Sequence, residues 1–123
     1  MFGMYVHVYK TPYERSGKKY MDILLNDNDM KYVQDLQILQ YMKNETPFFN
    51  PLDGNILTIK IPWRYNKIDY IHVGLTTIFE ICENDPIYVE LNFKGLWGTK
   101  TAHGFSWVLH TMNTNRNRGK VFH

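Results

Sequence analysis

Two short segments combine aromatic rings with cations and could therefore carry binding chemistry. The first is Trp63-Arg-Tyr-Asn-Lys67, which follows a predicted strand that Pro62 ends, since proline has no amide hydrogen to donate. The second runs from Lys94 through Trp97 to Lys100, in a predicted loop between two strands. Rings of this kind stack on nucleobases while the neighbouring cations hold phosphates, with little regard to base sequence. The pattern predicts binding of single-stranded nucleic acid.

The candidate binding residues lie on these two segments, on the strands beside them and in the basic tail. They are Lys60, Trp63, Arg64, Tyr65, Lys67, Tyr70, Lys94, Trp97, Lys100, Arg116 and Arg118. Two alternatives stay open at this point. Trp63 could cap the end of a barrel instead of stacking on a base. Trp97 could fold back over the core, the interpretation we favour slightly, which leaves Lys94 and Lys100 as the phosphate contacts.

The distribution of charge along the chain supports a binding site on these segments better than the net charge does. The net charge of +2 is too small to identify a nucleic-acid binder, and the first fifty residues balance six basic against six acidic side chains. Glu90 is the last acidic residue, and Lys94, Lys100, Arg116 and Arg118 follow it without a counter-charge. Basic charge is therefore concentrated in the carboxyl-terminal half, where we expect the electrostatic footprint.

Nothing in the sequence resembles a catalytic or metal site. The five histidines lie apart, with no two at metal-ligand spacing and no convergent acid, base and nucleophile. No glycine-rich phosphate cradle occurs either. We therefore expect a protein that is not an enzyme and that needs neither a metal nor a cofactor.

The single cysteine and the amino terminus bear on the compartment. Cys82 has no partner for an intramolecular disulfide, and we expect it to be a small buried apolar residue in a reducing compartment. The amino terminus does not resemble a signal peptide, and no apolar stretch approaches membrane-spanning length. The expectation is a soluble intracellular protein with no membrane partner.

Alternating apolar residues predict a mainly β protein with one helix. The predicted strands cover residues 5–9, 20–25, 56–61, 68–73, 87–94 and 105–111, with a connecting loop at 11–19 and a tight turn at 83–86. Residues 75–82 read as either a short strand or a helical turn. Short strands at regular intervals with one interrupting helix favour an α+β, OB-like antiparallel barrel, with a sandwich as the alternative. Residues 1–112 form one domain in this interpretation, and 113–123 form a basic, flexible tail.

The pattern also assigns faces to the predicted elements. Apolar residues recur at three-residue steps from Met30 to Met42, after a capping cluster at 26–29, which predicts an amphipathic helix. In the strand 87–94 the odd-numbered residues form the core face, and Phe105 and Trp107 share the core face of the strand 105–111.

Three stretches together resemble the core of small viral single-stranded DNA-binding proteins. They are Gly54-Asn-Ile-Leu-Thr-Ile-Lys-Ile-Pro-Trp-Arg-Tyr65, Val89-Glu-Leu-Asn-Phe-Lys-Gly-Leu-Trp97 and Gly104-Phe-Ser-Trp107. The resemblance covers about residues 54–112 and is to the OB-fold replication proteins of large DNA viruses, and more remotely to those of T7-like phages. It implies binding of exposed strands during replication or recombination, without catalysis and often as a dimer.

The carboxyl terminus departs from that family. The phage proteins end in an acidic tail that recruits replication partners, whereas this chain ends in Asn115-Arg-Asn-Arg-Gly-Lys120. The departure puts the partner-recruiting mechanism in doubt, and the basic tail suits added affinity for phosphates.

The sequence thus predicts largely sequence-independent binding of single-stranded DNA, with RNA and a homodimer left open. If the protein is viral, it would act in the host cytoplasm or nucleus. The alternative is a protein–protein module for viral assembly or for inhibition of a host factor, in which Trp63, Tyr65, Tyr70 and Trp97 would be interface anchors.

Overall fold

The computed structural model describes residues 1–41, 48–64, 67–68, 70–98 and 103–114, which form ten strands and one helix. The elements are β1 (Phe2–Arg15), β2 (Lys18–Leu24), α1 (Asp27–Tyr41), β3 (Phe48–Phe49), β4 (Leu52–Asp53), β5 (Ile56–Ile61), β6 (Trp63–Arg64), β7 (Lys67–Ile68), β8 (Ile71–Val73), β9 (Pro86–Gly98) and β10 (His103–Asn113). The side chains of residues 39–41, 48–49, 64, 67–68, 95–98 and 103 are not described.

Five of these strands close into a barrel. The first half of β1 pairs antiparallel with β9, and its second half pairs antiparallel with β2. β2 then pairs with β5, and β9 with β10. A parallel pairing of β10 with β5, at Val108 and Lys60, closes the ring. The predicted fold class, a small OB-like barrel with one helix, is confirmed, and the sandwich alternative is wrong.

Strict alternation of side chains fills the barrel. Leu57, Ile59 and Ile61 on β5 are buried, and the residues between them are half-buried on the outer face. The predicted core faces of β9 and β10 are confirmed, since Ile87, Val89 and Leu91 are buried and Phe93 packs half-buried against the core. Trp107 and Phe105 are among the largest fully or almost fully buried side chains. The outer faces of the same strands therefore remain available to carry a site.

The helix α1 begins where the polar cluster predicted it. The side-chain oxygen of Asn26 accepts a hydrogen bond of 2.7 Å from the backbone N–H of Asp29, as an N-cap does. Val33 is buried, and Met30 and Leu36 pack against the core, as predicted. The predicted apolar face fails at Ile38, which is 48% exposed, whereas Gln37 is buried. The helix is described as far as Tyr41, and its predicted end near residue 44 lies outside the described residues.

The loop predicted at residues 11–19 is wrong, because these residues continue β1, turn and enter β2. Ser16 and Gly17 both have positive φ, 54° and 76°, the signature of a two-residue hairpin turn whose twist matches that of its strands. Pro12 is tolerated in β1 because the register with β2 shifts between Lys10 and Tyr13, which marks a bulge.

Three further local predictions are corrected by the structure. The segment around Trp97 is strand, since β9 continues to Gly98 and pairs there with His103; residues 99–102 lie outside the described part. The predicted strand at 68–73 is divided between β7 and β8. Cys82 is exposed, because it lies in the irregular segment that leads to the turn at Asn84.

Two other local features fit the sequence prediction. The turn at 83–86 is confirmed, with Asn84 at a φ of 72°. Residues 75–82 contain one hydrogen-bonded turn between Thr77 and Glu80, not a strand. Among the described residues the one helix is α1, and it lacks the length and apolar character needed to cross a membrane.

Candidate nucleic-acid interface

A row of three side chains crosses the outer face of β1, β2 and β5. Tyr13 pairs with Tyr20 on the neighbouring strand, and Tyr20 pairs in turn with Lys60. Their chain neighbours Met21, Ile59 and Ile61 are buried, so the alternation of a strand points the row outward. All three side chains are half-buried. We call Tyr13, Tyr20 and Lys60 the outer row.

Cations cover the rings of this row. The Lys10 ammonium lies 4.5 Å from the centroid of the Tyr13 ring, and the Arg15 guanidinium carbon lies 5.2 Å from that of Tyr20. The two rings are 6.0 Å apart and inclined by 31° to each other. Adjacent aromatic faces and cations are therefore held together by the cross-strand register.

Trp63 adds a third ring at the exit of β5. Lys19 pairs with Ile61, and its ammonium lies 4.4 Å from the centroid of the Trp63 ring. The same ammonium forms an ion pair of 3.5 Å with Glu14. Trp63 is 37% exposed, so it is not sealed inside the barrel. Lys19 shares the face of its partner Ile61, the face opposite to Tyr20 and Lys60, so Trp63 and Lys19 lie together at the end of the barrel and outside the outer row.

One carboxylate lies among these cations and organises the hydroxyl groups beside it. Oδ1 of Asp22 accepts a hydrogen bond of 2.8 Å from the Tyr13 hydroxyl and one of 2.9 Å from the Thr58 hydroxyl. Partial burial raises the pKa of Tyr13 above its ordinary value, and the hydrogen bond and negative charge of Asp22 add to that rise. Tyr13 is therefore neutral and fixed in orientation at physiological pH.

Of the predicted site residues, Lys60 belongs to the outer row, Trp63 lies beside Lys19 at the end of the barrel, and Lys94 lies apart from the outer row. Lys60 lies opposite Val108, and Val108 lies opposite Asn92 on β9. Lys94 is exposed two residues further along β9, in the direction away from Trp63. The strand β10 thus separates Lys94 from Lys60.

Tyr70 is half-buried against the core. Its hydroxyl lies 2.9 Å from Nδ1 of His72, and the two rings meet edge to face at 5.7 Å. Burial raises the pKa of the Tyr70 hydroxyl. Its ring is engaged within the protein, in contrast to the rings of the outer row.

The remaining predicted residues are described in part or not at all. Arg64 and Lys67 pair in the two-stranded ribbon β6–β7 directly after Trp63, and the backbone of Trp97 pairs with Gly104; the side chains of these three residues are not described. The predictions for Tyr65, Lys100, Arg116 and Arg118 lie outside the described residues.

Sequence reasoning missed the contribution of the β1–β2 hairpin. The missed residues are Lys10, Tyr13, Arg15, Lys19 and Tyr20. A local signal was available, because the turn dipeptide Ser16-Gly17 separates two segments rich in tyrosine and lysine. The charge balance of the first fifty residues concealed it, since Asp27, Asp29 and other acids lie on α1, apart from the hairpin.

A groove of about 570 Å³ between α1 and β4 is another candidate site. Its lining includes Gln37, whose amide nitrogen donates to Asn50 and whose amide oxygen accepts from Trp107, both at 2.9 Å. These amide groups already have partners, so they serve the fold. Among the described residues, no group of three or more histidine, cysteine, aspartate or glutamate side chains could hold a metal ion.

Comparisons of the chain with protein-family models, with curated proteins and with solved structures found no match. The functional assignment therefore depends on the residues and geometry described above.

Proposed function

We propose that this protein binds single-stranded nucleic acid, DNA foremost, without catalysing a reaction. The observation that carries the proposal is the outer row, in which two tyrosine rings each lie beside a cation on the outer face of the barrel. Trp63 adds a partly exposed ring beside Lys19 at the end of the barrel. The surface formed by the second and third barrel strands is the one that OB-type barrels use for oligonucleotides. Here those strands are β2 and β5, which carry Tyr20 and Lys60.

A simple exchange of partners would drive binding. A cation over an exposed ring contributes about 0.5–1 kcal/mol. A nucleobase stacked on the same ring contributes about 1–3 kcal/mol. When a strand arrives, each base takes a ring face, and the displaced Lys10, Arg15 or Lys19 turns to a phosphate. The exchange is favourable because stacking exceeds the contact that it replaces and because each phosphate contact releases counterions.

The face suits single strands better than duplexes. Stacking requires bases whose faces are accessible, and these are hidden within a duplex. The rings of Tyr13 and Tyr20 lie side by side along the outer row, so successive bases of an extended strand can meet successive rings. The resemblance to viral replication proteins makes support of replication or recombination the proposed setting.

A titration of a fluorescent oligothymidylate by anisotropy at low salt tests the proposal. We expect saturable binding. A plot of the logarithm of the association constant against the logarithm of the salt concentration should fall with a slope of about 0.7 per phosphate contacted. A duplex of equal length should bind more weakly. Lack of binding at about 100 µM protein, the weak limit for non-specific association, would end the proposal.

A protein–protein contact is the second candidate, and a different surface favours it. Ile71 and Val73 on β8 are exposed, and so are Leu75 and Phe79 in the following segment, each at 72%. Among the described strands, β8 pairs with β10 alone. An apolar edge strand can pair with the same strand of a second copy. Light scattering should then show a dimer that is insensitive to salt and is lost in Phe79→Ser.

A further inference from the structure

Asp22 occupies an unusual place for a carboxylate, because it lies on β2 beside the outer row, whose rings are covered by the cations Lys10 and Arg15. It pairs with Lys10 on one side and with Thr58 on the other, and its neighbours in the chain bring Tyr20 and Met21 to opposite faces of β2. Oδ1 accepts both hydroxyl hydrogen bonds. Within the part of the chain that the structure describes, Oδ2 has no hydrogen-bond partner.

A carboxylate beside a stacked base distinguishes bases that present a hydrogen-bond donor from bases that present an acceptor. An ionised carboxylate only accepts hydrogen bonds. Cytosine presents an exocyclic amino donor where thymine presents a carbonyl oxygen, and aspartate accepts from that amino group. The N–H of thymine or uracil is recessed between two carbonyl oxygens, whose lone pairs the carboxylate repels. The geometry therefore favours amino-bearing bases.

We propose that Asp22 is a specificity-determining residue, through which this face prefers bases with an exocyclic amino group to thymine and uracil. The inference rests on the proposed function and assigns a base preference to one position in an otherwise sequence-tolerant surface. Tyr13 and Thr58 hold Oδ1 and thereby fix the carboxylate, so that Oδ2 is the oxygen presented to the base.

A purely structural role makes a different prediction. If Asp22 only tied Tyr13 to Thr58, asparagine would serve as well, because its amide oxygen accepts the same two hydrogen bonds. In a base-reading role, Asp22→Asn presents an amide donor in place of Oδ2. The preference for amino-bearing bases should then disappear or reverse toward thymine, whose O4 is an acceptor.

The test compares oligodeoxycytidylate and oligothymidylate of equal length, by anisotropy, for the wild type, Asp22→Asn and Glu90→Gln. Glu90, on the outer face of β9, controls for loss of one negative charge elsewhere. We expect the wild type to prefer the cytidylate roughly tenfold, the worth of one charge-assisted hydrogen bond. Asp22→Asn should lose this ratio, and Glu90→Gln should keep it.

Three results would overturn the inference, and they are distinguishable. Equal affinity of the wild type for both oligonucleotides removes the base preference and leaves the proposed function standing. If the wild type binds neither oligonucleotide, the base preference and the proposed function are both contradicted. A wild-type preference that Asp22→Asn retains assigns the selectivity to another residue and also contradicts the inference.

Discussion

Two groups of aromatic rings in this protein have opposite surroundings. The inner group is Phe2, Phe93, Phe105 and Trp107, in which Phe93 and Trp107 stack at 4.5 Å and 26°. The outer group is Tyr13, Tyr20 and Trp63, each beside a lysine or arginine. The inner rings meet other rings and one amide, whereas the outer rings meet cations at the water boundary.

This difference separates stability from binding. An inner ring gains its energy from burial and from fixed ring contacts, which it cannot exchange without unfolding. An outer ring holds its cation by a weak contact that a nucleobase can replace. The variants below test whether the two groups are as independent as this comparison requires.

The largest effect should come from Trp107→Ala. Trp107 is 1% exposed, and its removal leaves a cavity beside Phe93, so we expect the free energy of unfolding to fall by about 3–5 kcal/mol. Urea denaturation followed by circular dichroism measures this loss. Trp63→Ala is the matched control and should lose about 1 kcal/mol. Similar losses for the two variants would contradict the division into inner and outer rings.

Gln37→Leu should destabilise the protein by about 1–3 kcal/mol, because it leaves the buried indole N–H of Trp107 without an acceptor. Thermal unfolding gives the value. In the background of Trp107→Phe, which has no N–H, the same change should cost much less. A cost that is equal in both backgrounds would show that the hydrogen bond contributes nothing.

On the outer side, Trp63→Ala and Tyr20→Ala should each weaken binding of single-stranded DNA by about 1–3 kcal/mol through loss of stacking. Anisotropy titrations supply the affinities, with circular dichroism to verify folding. Tyr32→Ala, an exposed ring on α1, is the control and should bind as the wild type does. Loss of affinity in the control alone would place the binding surface elsewhere.

Lys60→Gln should have a smaller effect that appears mainly in the salt dependence. Loss of one phosphate contact should reduce the log–log salt slope by about 0.7. Lys31→Gln, an exposed lysine on α1, should leave the slope unchanged. Equal slopes for the wild type and Lys60→Gln would remove Lys60 from the interface.

The smallest effect concerns Tyr13 at alkaline pH. The folded protein holds the Tyr13 proton more tightly than the unfolded chain does, because burial and Asp22 both disfavour the phenolate. This contribution to stability is fully present below about pH 10 and is lost as pH rises through the raised pKa. Ultraviolet titration of the wild type against Tyr13→Phe isolates the group. A Tyr13 pKa at or below its ordinary value would contradict the contact with Asp22.

The sequence predicted those parts of the fold that depend on local alternation and capping. The outward placement of Lys60 followed from period-two patterning, and the start of α1 followed from the hydrogen-bonding capacity of Asn26. It failed at Pro12, where a bulge lets a proline remain in a strand, and at Trp97, where glycines favoured a loop. Both failures concern tertiary pairing that composition does not encode.

The site was predictable only in part, for the same reason. Residue type alone does not distinguish the roles of Trp63, Trp97 and Trp107. The structure separates Trp63 from Trp107 by burial, because Trp63 is partly exposed and Trp107 is buried. The contact between Lys19 and Trp63 joins residues far apart in the chain through the register of β2 with β5. Counting charges along the sequence could not reveal a face that only this pairing assembles.

The parallel pairing of Val108 with Lys60 has a consequence for how the chain matures. A ribosome releases β1, β2 and β5 well before β10, and until β10 docks, β5 and β9 each lack their neighbour on that side. Until then the nascent sheet exposes its apolar inner surface, and the backbone groups along the free edges of β5 and β9 lack their hydrogen-bond partners. Closure must also span a long stretch of chain, which slows it. Until β10 docks, the nascent chain is thus exposed to aggregation and to chaperone binding.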